Sequence, residues 1–237
     1  MPTTAMLEVN ACLALSVDGK LTAPTTPQQP WVKLGTPADL ERLFRLRDEH
    51  EALLFGASTF RAWPGVRWGW QARQQEKQGK QGLTGQTPPL HLLLTESWSL
   101  DWDHETFHLW EAHWPKFYVL SSNPPPPPAR DCPCVVWVPL PAHADAHMVA
   151  HTVNELLQTQ GVRRLLIEGG GEVVAQALQA RWLQRVYLTL TPWLVGGLVA
   201  SLVGGAGWPL EQAPRLHWEE VRPCGDEIFL TGAVVYP

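Results

Sequence analysis

Residues 164–174 read Arg164-Leu165-Leu166-Ile167-Glu168-Gly169-Gly170-Gly171-Glu172-Val173-Val174. Leu165, Leu166 and Ile167 form an apolar run short enough for a buried strand. The run breaks on three glycines and resumes with Val173, Val174, Ala177 and Leu178 at helical spacing. The chain here predicts a strand, a glycine turn and a helix over 172–180. Gly169, Gly170 and Gly171 permit positive φ and let a ligand approach the backbone without meeting a Cβ. The helix start, at Glu172 and Val173, presents unpaired N–H groups and the positive end of the dipole, which suit a phosphate. Glu168 is then an acceptor beside a phosphate-friendly turn. A tight βα connection with no ligand would look the same, and the spacing differs from the G-x-G-x-x-G dinucleotide pattern.

Upstream, residues 7–15 predict a first strand, followed by Ser16-Val17-Asp18-Gly19-Lys20, where Asp-Gly signals a turn. Thr36-Pro37-Ala38-Asp39 is a helix start, with threonine as cap, proline in the first turn and an acid three residues after the cap. Leu40, Leu43 and Phe44 form the apolar stripe of that helix, and Arg47 falls on it. A guanidinium there either snorkels to a nearby carboxylate or clamps a substrate anion. Residues 52–60 predict a buried strand ending in a small-residue turn. There Gly56, Ser58 and Thr59 either face a cofactor phosphate or cap a helix. Further strands are expected at 90–95, 117–120 and 135–138, and a helix at 146–159 capped by Asp145 with Val149, Val153, Leu156 and Leu157 buried. Residues 195–207 predict a loop, and 217–221 with 227–235 a closing antiparallel hairpin. Two stretches predict flexible or extended loops: 66–89, and 121–130 with its five prolines.

The length of 237 residues suits one large domain, taken here as 1–237, with a sizeable core. A formal charge of −5 argues against nucleic acid. No long apolar stretch suggests a membrane span. Cys12, Cys132, Cys134 and Cys224 show neither a disulfide framework nor a zinc pattern, so reduced thiols and a cytoplasmic setting are expected. His143, His147 and His151 recur every four residues but on a polar stripe, so a solvated face is expected and no metal. Thirteen tryptophans are read as compositional drift plus core filling.

Alternating strands and helices with a C-terminal antiparallel pair predict an α/β fold: three layers, α/β/α, around a mixed, mostly parallel central sheet. Glu168-Gly169-Gly170-Gly171, then an apolar helix, then Val186-Tyr187-Leu188-Thr189-Leu190-Thr191-Pro192-Trp193-Leu194-Val195-Gly196-Gly197 resembles the C-terminal reductase domain family of riboflavin biosynthesis, which has a dihydrofolate-reductase-like fold. Ala14-Leu15-Ser16-Val17-Asp18-Gly19-Lys20 resembles that family's first strand and active-site loop. The resemblance implies NADPH-dependent reduction of 5-amino-6-(5-phosphoribosylamino)uracil to its ribitylamino form, with hydride delivered to the sugar C1′. It implies a substrate site at Glu168, Arg47, Ser16, Asp18 and Lys20, with Glu168 on the ring edge and Arg47 on the phosphate. It implies cofactor contacts at Ala14, Trp31, Gly56, Ser58, Thr59, Gly169, Gly170, Gly171, Glu172 and Val173, and a homodimer. The chain departs from the family at Gln29-Pro30, before the aromatic, and at Trp63, where an aspartate is usual. It shows no zinc-deaminase signature, so the reductase half is expected alone. Alternatives are a reductase of another pteridine-like or carbonyl substrate, or a non-catalytic nucleotide-binding paralogue.

Overall fold

Strand β1 (Glu8–Ser16) runs through the middle of a nine-stranded sheet, and its side chains alternate between two cores. Val9, Ala11, Leu13 and Leu15 point to one face, where Leu54, Leu165 and Ile167 join them under Val153, Leu157, Val174 and Ala177. Cys12 points to the other face, with Leu53, Phe55, Leu93, Leu166, Leu46 and Phe60. The period of two along a strand buried on both faces makes this a three-layer molecule. The structure is a computed structural model and describes residues 7–26, 32–62, 88–104, 107 and 115–237.

In chain order β1 is followed by α1 (Pro37–Glu49), β2 (Ala52–Gly56), α2 (Ala57–Ala62), β3 (Leu90–Leu94), β4 (Phe117–Ser121), α3 (Pro127–Arg130), β5 (Val135–Pro139) and α4 (Ala146–Thr159). Then come β6 (Arg164–Ile167), α5 (Gly171–Gln179), β7 (Arg185–Thr191), β8 (Arg215–Cys224) and β9 (Glu227–Val235). The sheet order is β5-β4-β3-β2-β6-β1-β7-β9-β8. The first seven strands are mutually parallel, and β9 and β8 close the sheet antiparallel. The expected α/β/α architecture around a mixed, mostly parallel sheet is that observed.

Three local expectations are corrected. The small-residue turn expected after Gly56 is the first turn of α2 itself. The 121–130 connector is extended only as far as Pro126, and Pro127 then opens α3. Proline tolerates a first helical turn because its missing N–H has no partner to lose there. In α1 the buried residues are Arg42 and Leu46, whereas Leu40 and Leu43 border an open cleft. Gln29, Pro30, Trp31, Trp63 and residues 66–87 lie outside the described residues.

Other expectations match. Thr36 caps α1, its hydroxyl accepting from the Ala38 N–H at 3.2 Å. Asp145 caps α4 by accepting from Met148 N–H at 2.9 Å. His143, His147 and His151 are all exposed. Trp98 and Trp102 fill the core as supposed, but Trp193 and Trp218 stand out in solvent. Among the described residues no helix is long and apolar enough to cross a membrane.

His50, which ends α1, carries a pH prediction. Its Nδ1 lies 2.6 Å from the Leu46 carbonyl, which can only accept, so Nδ1 carries the proton. Nε2 must then accept from Asn10 Nδ2 at 3.0 Å. Burial pushes the His50 pKa down, the Leu46 contact and the carboxylates of Glu8 and Glu49 oppose this, and Arg164 adds to it. The folded chain therefore refuses a proton that the unfolded chain takes up below about pH 6.5. Stability contributed by this site is complete above that pH and falls as pH drops through it. Urea midpoints at pH 7.5 and 5.5 should diverge more for the native protein than for His50→Gln.

Candidate active site

Strand β6 is short, and that opens the cleft. Its pairing with β1 ends at Ala11 opposite Ile167, whereas β1 continues to Ser16 beside β7 alone. On the other side β2 ends level with the first glycines, Gly56 N–H donating to Gly169 O at 2.8 Å. A notch therefore lies between β1 and β2 at the carboxyl end of the sheet, with β6 as its floor. In open parallel sheets ligands bind at that end. The cleft has a volume of about 1330 Å³.

The glycine turn forms one wall. Gly169 has φ of 106°, which side-chain-bearing residues rarely adopt, and the Gly169–Gly170 peptide is cis. A Cβ at Gly169 would lie 3.2 Å from Thr59 Oγ1, and one at Gly170 would lie 3.3 Å from Ser58 Oγ. The hydroxyls at the start of α2 thus sit over the turn. Gly170 caps α5, and Gly171 is its first residue. A loop at 201–205 closes the third side: Gly204 N–H donates to Gly171 O at 3.0 Å, and Gly205 N–H to Glu172 Oε1 at 3.1 Å. Ala14, Gly56, Ser58, Thr59, Gly169, Gly170, Gly171, Glu172 and Val173 all border the cleft. Trp31, expected with them, lies outside the described residues.

The five expected substrate residues divide. Glu168 borders the cleft. Arg47 pairs with it through two parallel bonds, Nε to Oε1 at 2.6 Å and Nη2 to Oε2 at 2.5 Å. Ser16, Asp18 and Lys20 form a turn beside the cleft. Ser16 Oγ donates to Asp18 at 2.6 Å and accepts from Lys20 N–H at 2.9 Å. Asp18 also accepts from the N–H groups of Val195 at 3.0 Å and Gly196 at 2.6 Å. The Ser16 hydroxyl, then those two amides, hold the Asp18 pKa down to about 2. An ionised, fully partnered carboxylate pins the loop after β7; it is a poor proton donor at neutral pH. Lys20 bridges to Ser201, so this turn also braces the loop over α5.

Asp39 joins the site from outside the expected set. It stands in the first turn of α1 and borders the cleft. Burial raises its pKa, the Thr189 hydroxyl hydrogen bond pulls it down, and the Glu227 carboxylate raises it further. The spacing from Thr36 had marked it only as a helix-start acid. Glu227 accepts from Thr36 N–H at 2.7 Å and from its hydroxyl at 2.8 Å, which seats that end of α1 on β9. Cys12, buried on the cleft wall, has its thiol pKa pushed far up by burial, then by Asp39 and Glu168, against Arg42 and Arg47. Two carboxylates thus serve one wall, on α1 and after β6. Among the described residues no group of three His, Cys, Asp or Glu side chains could hold a metal ion.

Seven parallel strands, a closing hairpin and a glycine-walled cleft across the strand ends define an α/β protein of the dihydrofolate-reductase-like class. The chain belongs to the RibD C-terminal domain family, whose pattern it matches over residues 8–230. It is 24% identical over 220 residues to the riboflavin biosynthesis protein RibD of Chlamydia pneumoniae, covering 91% of this chain and 54% of that relative. The chain thus spans about half the length of that curated relative. Its fold is similar to a pyrimidine reductase-like protein of Corynebacterium diphtheriae, with TM-score 0.72, 21% identity and coverage of 98% and 93% of the two chains. It is also similar to the riboflavin biosynthesis reductase Rib7 of Saccharomyces cerevisiae, with TM-score 0.64, 14% identity and coverage of 99% and 93%.

Proposed function

We propose that the protein reduces 5-amino-6-(5-phosphoribosylamino)uracil to 5-amino-6-(5-phosphoribitylamino)uracil with NADPH. The observation that carries this reading is the cleft between β1 and β2, in which Glu168, Asp39 and the start of α5 come together. Its volume of about 1330 Å³ exceeds what one drug-sized ligand needs, roughly 300–1000 Å³, and leaves room for cofactor and substrate side by side. Membership of the RibD C-terminal domain family supports the same reaction class.

The residues fit a dinucleotide. Gly170 and Gly171 open α5 without a side chain on the cleft side, and the Ser58 and Thr59 hydroxyls stand over Gly169 and Gly170. That cradle offers N–H and O–H donors to a pyrophosphate, reinforced by the helix dipole. A reduced nicotinamide supplies the hydride when bound. The chain supplies alignment. The free edge of β1 around Ala14 lies where a flat ring can rest against backbone. Glu168 accepts from ring N–H and amino groups, and Asp39 reaches the same ring from α1. Asp39, whose pKa is raised, is better suited than Asp18 to hold a proton near the reacting atoms.

The test is titration of tryptophan emission with NADPH, then turnover followed by loss of reduced-nicotinamide absorbance. Quenching and turnover on the ribosylaminouracil are expected, with Asp39→Asn reducing kcat/KM by at least about tenfold. Quenching without turnover would point to another substrate. No quenching would point to a non-catalytic paralogue.

The active form is proposed to be a homodimer. β8 is the edge strand of the sheet, and Trp218, Val221 and Ile228 are exposed on its hairpin. An open edge with apolar neighbours invites a second copy. Light scattering should give twice the chain mass, and Val221→Glu should shift it toward the monomer.

A further inference from the structure

We propose that Cys132 and Cys134 form a reversible dithiol–disulfide couple, a redox site that exchanges with small disulfides of the glutathione class. The inference goes beyond the reductase reading above and does not rest on it, because the pair lies away from the cleft. β5 begins at Val135, one residue after the pair, so both thiols sit at the amino end of the parallel strands. The cleft is at the carboxyl end, and neither cysteine borders it.

Both thiols are free, and their sulfurs lie 3.1 Å apart. A disulfide needs about 2.05 Å, so bond formation takes a closing movement of about 1 Å. The backbone holds the two together. Cys132 N–H donates to Ala129 O at 3.3 Å behind α3, and Val135 N–H donates to Cys132 O at 3.1 Å as β5 starts. Phe117 N–H donates to Cys134 O at 2.8 Å. Lys116 Nζ donates to the carbonyl of the intervening Pro133 at 2.8 Å, and the proline ring fixes φ of that residue. Little chain freedom therefore remains to be lost on closure. The two sulfurs differ in access. Cys132 is half-buried beside an exposed Pro133, whereas Cys134 is 4% exposed. Burial pushes the Cys134 pKa far up, the hydrogen bond with Cys132 and the charge of that neighbour add to this, and Lys116 opposes it. Cys134 thus keeps its proton and donates it to Cys132. The other two thiols are elsewhere: Cys12 stands in β1, and Cys224 ends β8, at the opposite edge of the sheet from β5.

Access and protonation assign the roles. Cys132, as thiolate, attacks one sulfur of the small disulfide; that S–S bond breaks and one small thiolate leaves, taking up a proton. Cys134 then gives its proton to solvent and attacks the Cys132 sulfur of the mixed disulfide, releasing the second small thiol. Two protein thiols are oxidised and one small disulfide is reduced to two thiols, with no other reactant. The ring so closed spans a single intervening residue. Small, strained disulfides are the readily reduced ones, so excess small thiol should open it again. A lone reactive thiol would behave differently: it would stop at the mixed disulfide.

The experiment treats the native protein with glutathione disulfide, quenches in acid, alkylates the remaining thiols after denaturation and weighs the tryptic peptides. Trypsin releases both cysteines on one peptide, residues 131–163. That peptide is expected to lose both alkylation sites together and to be lighter by the two thiol hydrogens, and about a tenfold excess of reduced glutathione should restore both sites. In Cys134→Ala, Cys132 should be trapped as the mixed disulfide with glutathione. In Cys132→Ala, Cys134 should react at least about tenfold more slowly than Cys132 does. Should Cys134→Ala fail to fold, phenylarsine oxide on the native protein decides, since it needs two adjacent thiols and should block alkylation of both. Stable glutathione on Cys132 with Cys134 still free, oxidation of neither, a bridge between two chains, or no block by the arsenical would each overturn the inference. None of these readings involves turnover, so the reductase assignment stands or falls separately.

Discussion

Gly171→Ala should lower NADPH affinity at least about tenfold and destabilise the protein by about 2 kcal/mol. Helix propensity argues the other way, since alanine in place of glycine contributes about 1 kcal/mol toward a helix. The neighbours decide the sign. A Cβ at Gly171 would overlap the carbonyl oxygen of Ser201 and stand 3.2 Å from the Gly204 nitrogen. Both are backbone atoms, which cannot swing aside as a side-chain tip can. The 201–205 loop would have to lift, breaking the bonds from Gly204 N–H to Gly171 O and from Gly205 N–H to Glu172. Overpacking of this kind costs about 1–3 kcal/mol before those bonds are counted. The checks are urea unfolding and NADPH titration of the variant. Stability and affinity both equal to native would mean that the loop does not rest on α5 as described.

Arg42→Met should lower the melting temperature by about 10 °C, from a loss of about 3 kcal/mol. Arg42 is 5% exposed. Its Nη1 donates to Leu188 O at 2.6 Å and its Nη2 to Leu230 O at 2.8 Å, reaching a carbonyl on β7 and one on β9. Longer bonds run to the hydroxyls of Thr189 at 3.4 Å and Thr231 at 3.1 Å. The guanidinium also lies 4.8 Å from the centre of the Phe229 ring. Burial lowers the Arg42 pKa, with Cys12 and Glu220 next as opposing influences. Charged hydrogen bonds contribute about 1.5–3 kcal/mol each, and methionine, which fills similar space, returns part of that by removing the desolvated charge. The residue fastens α1 to the joint where the parallel sheet meets its antiparallel hairpin. Asp39 is on the same helix, and the same Thr189 hydroxyl pulls its pKa down, so substrate KM should rise with the loss of stability. Arg42→Lys should lose nearly as much, because one ammonium cannot span both carbonyls. Differential scanning calorimetry of the two variants checks this.

The two predictions fall on opposite sides of what could be read from the chain. Gly171 stands in the stretch that carried the fold, where three glycines between an apolar strand and an apolar helix already implied a backbone close to something else. Arg42 gave no such signal. Its position one turn from Leu46 looks like any solvated arginine until β7 and β9 are folded against it. Asp39 was read only as a helix-start acid, since nothing local tells a capping carboxylate from one that also faces a cleft. Arg47 was expected on the apolar stripe with either a carboxylate or an anion as partner. The carboxylate in the structure is Glu168, 121 residues away in the chain.

Strand and helix order, the parallel sheet with its closing hairpin, and the glycine wall of the cleft follow from spacing along the chain. They are governed by neighbours within a few residues, through the period of two or 3.6 and the steric freedom of glycine. The pairing of Arg47 with Glu168, the burial of Arg42, and the meeting of Asp39 with Thr189 follow only from assembly. They join residues far apart in the chain, and a hydrogen bond across that separation is chosen by which strands lie side by side.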